Sequence, residues 1–234
     1  MGILIEFVGL PGAGKTTLAR KVAQEIRVSN QLVITRSTEL ADDSWSVVRH
    51  VIRARYVLSS ALREPKMFLA SARLIHEDGQ PNIISFAKVC WNLWCVLGWY
   101  GWLARNRGGV TVVDQGIMQA IWSVRLSALR SVADWAGFLR DFPMIDGIVI
   151  VDCSLGTAQQ RLNMRIGNTS RLGCVTSRDR IWQVAQRAYA QAAREALAVA
   201  PVLRVTNDVG EDSYSGVSDI LSWFESVYDI GRSS

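Results

Sequence analysis

The sequence is poor in the residues that build metal sites and disulfide scaffolds. Its 234 residues include only four cysteines and two histidines, and no two cysteines form a C-x-x-C pair. This scarcity argues against a structural zinc site and against a disulfide-stabilised secreted fold. We expect reduced, mostly buried thiols. Because no basic leader precedes the first apolar stretch, we also expect a cytoplasmic protein.

Lysine is also scarce, and runs of like charge are absent. Only four of the 26 basic residues are lysines, and the formal net charge is +5. Nucleic-acid-binding proteins usually carry clusters of basic residues, so no nucleic-acid partner is expected. The excess of arginine favours a small polyanionic ligand, because a guanidinium group can contact a phosphate through two parallel hydrogen bonds.

No apolar run is long enough to predict a transmembrane segment. The most apolar segment, residues 89–104, contains four of the nine tryptophans. It is shorter than the roughly 20 residues that spanning a bilayer requires, and it lies in a helix predicted over about 83–106. A buried core helix or a subunit interface is expected, which leaves a homodimer open. Contact with a membrane surface and an apolar groove for an acceptor are the alternatives.

Residues 9–16 read G-L-P-G-A-G-K-T and fit the pattern G-x-x-x-x-G-K-[ST]. An apolar stretch typical of a buried strand precedes them, and a stretch with helical spacing follows. Glycines let successive backbone N–H groups point at an anion, and the helix N-terminus adds partial positive charge. The lysine of this motif reaches the outer phosphates, and the hydroxyl after it ligates magnesium. The residues predicted to hold a nucleoside triphosphate are Gly9, Pro11, Gly12, Ala13, Gly14, Lys15, Thr16 and Thr17.

Short apolar stretches alternate with helical ones along the chain. Strands are predicted at 3–8, 32–35, 110–114, 147–152 and 202–206. Helices are predicted at about 15–27, 44–62, 66–78, 83–106, 117–140, 155–166, 177–199 and 214–229. The strands lack apolar–polar alternation, as expected of a parallel sheet buried on both faces. The predicted fold class is α/β, a P-loop NTPase three-layer sandwich with about five parallel strands, in one domain over residues 1–234.

Two of the predicted strands end in an aspartate, Asp114 and Asp152. Ligands of such sheets bind outside the carboxyl ends of the strands. Either carboxylate is therefore placed to hold magnesium or to act as a base beside the γ-phosphate. Spacing along the sequence does not choose between them.

Three arginines near one loop predict a lid. Arg161 and Arg165 are four residues apart and share a helix face, and Arg171 lies in the loop-like segment that follows. A loop carrying arginines, here at about 163–176, suits a lid that closes over transferring phosphates and neutralises their charge. A solvated helix face beside a flexible loop is the alternative.

Taken in chain order, these pieces resemble a thymidylate kinase, within the nucleoside and nucleotide monophosphate kinases. The family's phosphate loop is matched by residues 9–17. Its F-A-A-D-R-x-x-H helix is matched by residues 68–76, which keep the phenylalanine, the arginine and the histidine. The T-R-E-P that ends its second strand is present as T-R-S-T at residues 35–38.

The second half of the chain continues the resemblance. The family's D-R-Y after the third strand is present as D-Q-G at residues 114–116. Its aspartate followed by two arginines four apart is matched by Asp152, Arg161 and Arg165. The matches run in order over nearly the whole chain.

The resemblance implies an enzyme that transfers the γ-phosphoryl group of Mg²⁺·ATP to a nucleoside monophosphate or a related small acceptor. It favours Asp114 over Asp152 as the acid near magnesium and the attacking oxygen, with Thr16 as the other magnesium ligand. The implied catalytic residues are Lys15, Asp114, Arg161, Arg165 and Arg171. The implied acceptor-binding residues are Arg36, Arg73 and Gln115.

The departures from the family lie on the acceptor side. Gln115 stands where the family has an arginine, Ser37 and Thr38 replace Glu-Pro, and the stretch from Arg73 to Asp114 is longer. The donor side is intact, so transfer from ATP is expected while the acceptor stays open. The alternatives are a kinase of a non-nucleotide small molecule and a nucleotide-dependent switch or assembly ATPase.

Overall fold

The computed structural model describes residues 2–28, 33–35, 46–106, 109–164, 178–208 and 213–233. Within these ranges each strand is separated from the next by one or more helices, with three between the second and third strands and two in each of the next two connections. The elements are β1 (Ile3–Val8), α1 (Lys15–Val28), β2 (Val33–Thr35), α2 (Ser46–Ala61), α3 (Pro65–Asp78), α4 (Ile83–Asn106), β3 (Val110–Val113), α5 (Ile117–Ser127), α6 (Trp135–Asp141), β4 (Gly147–Asp152), α7 (Leu155–Asn163), α8 (Arg178–Leu197), β5 (Val202–Thr206) and α9 (Ser213–Ser233).

The strands pair in parallel to form one sheet with the order β2-β3-β1-β4-β5. Central strand β1 places Ile3 opposite Val110 of β3 and Ile5 opposite Gly147 of β4. Every residue of β1 and β3 is buried, which explains why these strands do not alternate between apolar and polar residues. The predicted α/β class with a parallel sheet is confirmed.

Helices cover both faces of this sheet and make three layers. On one face, α1 and α9 close a core that includes Leu18, Val22 and Ile26 of α1 with Ile220 and Phe224 of α9. The three α1 residues follow the four-residue spacing read from the sequence. A larger core on the other face is built mainly by α4, α5 and α8.

Helix α4 is the tryptophan-rich segment, and much of it is buried. By length and composition it is the one helix among the described residues able to cross a membrane, and half of its apolar window is buried inside the protein. Gly98 packs so closely against α2 that a Cβ there would lie 2.8 Å from the backbone of Tyr56. Packing in the core therefore accounts for about half of this apolar window. Its exposed side includes Trp91, which is 37% exposed.

The single helix predicted over 117–140 is wrong, because the chain forms the separate helices α5 and α6 there. The buried carboxylate of Asp78, at the end of α3, holds the connecting segment. It accepts hydrogen bonds of 2.9 Å from the backbone N–H groups of Val132 and Ala133 and from the indole N–H of Trp135. The two backbone bonds satisfy N–H groups that a continuous helix would have paired internally, so the chain leaves the helical path.

Candidate active site

The loop between β1 and α1 lies at the carboxyl edge of the sheet and has the shape of a phosphate cradle. Gly12 and Gly14 have φ angles of 90° and 88°, in the left-handed region that side chains disfavour. A Cβ on Gly12 would overlap the carbonyl oxygen of Ala158, and one on Gly14 would overlap the side-chain amide of Asn207. Both positions therefore require glycine, for conformation and for space.

The ammonium group of Lys15 lies against the loop to which it belongs. Its Nζ donates hydrogen bonds to the carbonyl oxygens of Gly9 at 2.7 Å and Leu10 at 3.0 Å. The only fixed positive charge of the loop is thereby held at the cradle. Of the other predicted loop residues, Pro11 and Thr16 are half-buried and Thr17 is exposed.

Asp114 follows β3, and the parallel pairing of β3 with β1 brings it beside the start of α1. The hydroxyl of Thr16 donates a 2.7 Å hydrogen bond to Oδ2 of Asp114. A hydroxyl oxygen and a carboxylate oxygen beside a phosphate cradle are hard oxygen ligands of the kind that Mg²⁺ prefers. These two residues therefore fit a magnesium ion.

Asp152, the other aspartate at a strand end, has different partners. Its Oδ1 accepts a 2.7 Å hydrogen bond from the hydroxyl of Tyr189, and its Oδ2 pairs with Arg204 at 3.0 Å. Burial and the neighbouring carboxylate raise the pKa of Tyr189, so the phenol stays protonated and remains a donor. The structure thus places Asp114 against the phosphate loop, while Asp152 connects β4 to α8 and β5.

Arg161 and Asn207 contact backbone carbonyl groups of the cradle. Nη1 of Arg161 donates a 2.8 Å hydrogen bond to the backbone carbonyl of Asn207 and lies 3.5 Å from the carbonyl oxygens of Gly12 and Ala13. The side-chain amide of Asn207 donates a 2.7 Å bond to the carbonyl of Ala13. Sequence reasoning missed Asn207, whose only signal is a polar residue directly after a predicted strand.

The structure describes only some of the predicted acceptor-side and lid residues. The Arg73 side chain is 80% exposed on α3, where its Nε pairs with Glu77 at 2.8 Å. Gln115 is exposed directly after Asp114. The structure therefore brings Lys15, Thr16, Asp114 and Arg161 to one place and leaves Arg73 on the surface. Arg36, Arg165 and Arg171 lie outside the described residues.

Sequence reasoning also missed a buried carboxylate beside the Asp114 loop. Oε2 of Glu6 in β1 accepts hydrogen bonds from the hydroxyl of Tyr100 at 2.9 Å and the backbone N–H of Ile117 at 3.0 Å. Its Oε1 accepts from the N–H groups of Met118 at 2.8 Å and Gln119 at 3.3 Å. Burial raises the pKa of Glu6 to about 7, and the four hydrogen bonds oppose part of this shift. The signal was a single charged residue in an otherwise apolar strand.

Comparison with known proteins supports the fold of this site. A model of the ATPase family associated with various cellular activities (AAA) matches residues 5–73. The structure of deoxyadenosine kinase from M. mycoides with products dCMP and a flexible dCDP bound is similar at a TM-score of 0.57 and 12% identity, covering 96% of this chain and 100% of that one. A structure of deoxyadenosine kinase from M. mycoides with bound dATP is similar at a TM-score of 0.55 and 12% identity, covering 95% of this chain and 100% of that one. No curated protein matches the sequence. At this identity the likeness shows the fold alone.

Proposed function

We propose that this chain is an ATP-dependent phosphotransferase, similar to thymidylate kinase, that transfers the γ-phosphoryl group of Mg²⁺·ATP to a nucleoside monophosphate or a related small acceptor. The contact between Thr16 and Asp114 carries this proposal. It places a carboxylate from a second strand beside the phosphate cradle, where both a metal ion and an attacking oxygen have to lie.

The donor half of the reaction falls to the cradle. Backbone N–H groups around Gly12 and Gly14 bind phosphate oxygens, and Lys15 neutralises the charge that develops on the outer phosphates. Magnesium, held by Thr16 and Asp114, would supply further positive charge and orient the phosphate chain. Phosphoryl transfer requires little covalent chemistry of the protein, so positioning and charge neutralisation provide most of the rate.

The acceptor half rests on fewer contacts. We assign Arg73, with Arg36 and Gln115, to the acceptor. Arg73 is exposed and pairs with Glu77 on its own helix, and an exposed ion pair of this kind contributes little to stability. The guanidinium can therefore exchange Glu77 for an acceptor phosphate at low cost. We further assign Arg161, Arg165 and Arg171 to charge neutralisation at the closed lid.

The test is ADP formation from Mg²⁺·ATP with a panel of nucleoside monophosphates that includes dTMP. Nucleosides belong in the same panel, because the similar structures are named as a deoxyadenosine kinase. Strong stimulation by one monophosphate would support the proposal and identify the acceptor. Lys15→Ala is the control for chemistry at this site, since it removes the loop's ammonium group and should abolish the stimulated turnover. No stimulation by any monophosphate would contradict the proposal, and stimulation by another alcohol would identify a different small-molecule kinase.

The second candidate is a nucleotide-dependent switch or assembly ATPase. The observation in its favour is the match of residues 5–73 to a model of ATPases. Such a protein would hydrolyse ATP slowly, at a rate that no acceptor changes, and its oligomeric state would differ between the ATP-bound and ADP-bound forms. Size-exclusion chromatography with each nucleotide, run beside the acceptor panel, separates the two candidates.

A further inference from the structure

Glu6 connects the strand that leads into the phosphate loop with the helix that follows Asp114. It lies in β1, three residues before Gly9, so its backbone leads directly into the phosphate loop. Its side chain binds the N-terminus of α5, which begins three residues after Asp114. We propose that Glu6 is a positioning residue that holds Asp114 against Thr16. The catalytic part of this inference rests on the proposed function, whereas the structural part does not.

The N-terminus of α5 depends on Glu6 for its cap. The first N–H groups of a helix have no partner within the helix. Gly116, at the cap position of α5, has no side chain to offer them. The Glu6 carboxylate reaches across from β1 and accepts from the N–H groups of Ile117, Met118 and Gln119. A negative charge also interacts favourably with the positive end of the helix dipole.

The space around Gly116 shows how closely these groups approach the backbone. A Cβ at this position would overlap both the hydroxyl oxygen of Tyr100 and the carboxylate of Glu6. Glycine is thus the residue that fits between Asp114 and α5 while Glu6 and Tyr100 keep their places. The loop carrying Asp114 is therefore held at its carboxyl end by a buried side chain of β1.

Tyr100 extends this connection to the tryptophan-rich helix. Its side chain is buried in α4, and its hydroxyl donates to the same Glu6 oxygen that binds Ile117. A shift of α4 would therefore act on the cap of α5 and, through it, on Asp114. This link gives α4 a role at the site in addition to its place in the core.

Glu6→Gln tests the proposal with almost no change in shape. Each carboxylate oxygen accepts from two donors, so an amide NH₂ in either orientation would face two donors. We expect kcat to fall roughly 10- to 100-fold, because small misplacements of reacting groups have effects of this size. The magnesium concentration for half-maximal rate should rise as well. In the free protein, amide hydrogen exchange at residues 117–119 should become faster.

Asp78→Asn is the matched control. Asp78 is also a fully buried carboxylate, and it too accepts from backbone N–H groups and from one aromatic side chain, but it holds the segment before α6. Both variants should lose stability. Only Glu6→Gln should change kcat and magnesium dependence, measured per folded molecule. Equal changes in both variants would show that general destabilisation is responsible and would overturn the proposal.

Binding of ATP without any acceptor separates this inference from the proposed function. Calorimetry with and without Mg²⁺ gives the factor by which magnesium strengthens ATP binding. We expect this factor to fall in Glu6→Gln and to stay at the wild-type value in Asp78→Asn, even if no acceptor is ever phosphorylated. An unchanged factor in folded Glu6→Gln overturns the positioning role. If Glu6→Gln does not fold, Tyr100→Phe is the deciding variant, because it removes one donor and keeps the carboxylate. A smaller effect of magnesium on ATP binding in this variant supports the positioning role of Glu6. An unchanged effect contradicts it.

Discussion

The hydroxyl of Thr16 and the carboxylate of Asp114 meet at 2.7 Å although the two residues are 98 positions apart in the sequence. Thr16 lies in the first turn of α1, after the phosphate loop, and Asp114 follows the strand that pairs with β1. Parallel pairing brings the carboxyl ends of both strands to one edge, so these side chains lie on the same side of the cradle. A phosphate-binding loop and an acidic group from a second strand thus form one site.

Replacing Asp114 with asparagine should stop turnover while preserving the fold. The amide oxygen of Asp114→Asn can still accept the Thr16 hydrogen bond, so the free energy of unfolding should change by about 1 kcal/mol or less. Loss of the negative charge beside the metal should lower kcat by roughly 100-fold or more. Steady-state kinetics over a range of Mg²⁺ concentrations measure the effect. The control is Asp152→Asn, which alters the aspartate bound to Tyr189 and Arg204 and should leave kcat near wild type. Equal losses in both variants would contradict the assignment of Asp114.

Replacing Asn207 should weaken ATP binding through the shape of the cradle. In Asn207→Ala the carbonyl of Ala13 loses its 2.7 Å donor, and the loop loses one support. In Asn207→Asp a carboxylate faces that same carbonyl oxygen, so repulsion is added to the lost bond. We expect ATP affinity to decrease in the order wild type, Asn207→Ala, Asn207→Asp, with a factor of about 10 for the alanine variant from the loss of one hydrogen bond. Isothermal titration with ATP measures it, and a stronger loss in the alanine variant than in the aspartate variant would contradict this contact.

The sequence predicts the donor side of the site more completely than the rest. The phosphate loop is readable because glycine, lysine and threonine at fixed spacing serve one function, and the structure shows why Gly12 and Gly14 are required. The prediction of one continuous helix over 117–140 failed because Asp78, whose carboxylate binds the segment between the two helices, lies far away in the sequence. Spacing along the sequence does not distinguish Asp114 from Asp152. The family resemblance favours Asp114, and in the structure Asp114 is the one that contacts Thr16.

Glu6 and Asn207 were missed for a related reason. Glu6 is a charged residue inside an apolar strand, and Asn207 is a polar residue directly after a strand; neither pattern identifies a partner. The hydrogen-bond partners of Glu6 lie in α4 and α5, and the side chain of Asn207 binds the phosphate loop. Such contacts between elements distant in sequence have no local signal.

Replacing Arg73 with alanine should affect the acceptor far more than ATP. Because the Arg73–Glu77 pair is exposed, its loss should change the free energy of unfolding by less than about 0.5 kcal/mol. If Arg73 binds the acceptor phosphate, the acceptor KM should rise roughly tenfold or more while the KM for ATP stays within about twofold. Glu77→Gln is the matched control, since it breaks the same ion pair but keeps the guanidinium. An equal rise of both KM values in Arg73→Ala would rule out the acceptor role.

Glu6 should make the stability of the protein depend on pH. Burial raises the pKa of Glu6 from 4.5 to about 7, and the groups that face it are the Tyr100 hydroxyl and three backbone N–H groups. The folded state therefore binds a proton on the Glu6 carboxylate more tightly than the unfolded state does. The resulting stabilisation is complete below about pH 4.5 and is lost as the pH rises through about 7. Its size is on the order of 3 kcal/mol, because each tenfold difference in proton affinity between the two states corresponds to about 1.4 kcal/mol.

Urea unfolding of wild type and Glu6→Gln at several pH values between 4.5 and 8 isolates this contribution. Glutamine does not titrate, and the other ionisable groups are common to both proteins, so their contributions cancel in the difference. We expect the stability of wild type relative to Glu6→Gln to fall across this range and to become constant above it. A difference that stays constant from pH 4.5 to 8 would mean that Glu6 ionises in the folded protein as it does in the unfolded chain, and that its burial carries no proton-linked cost.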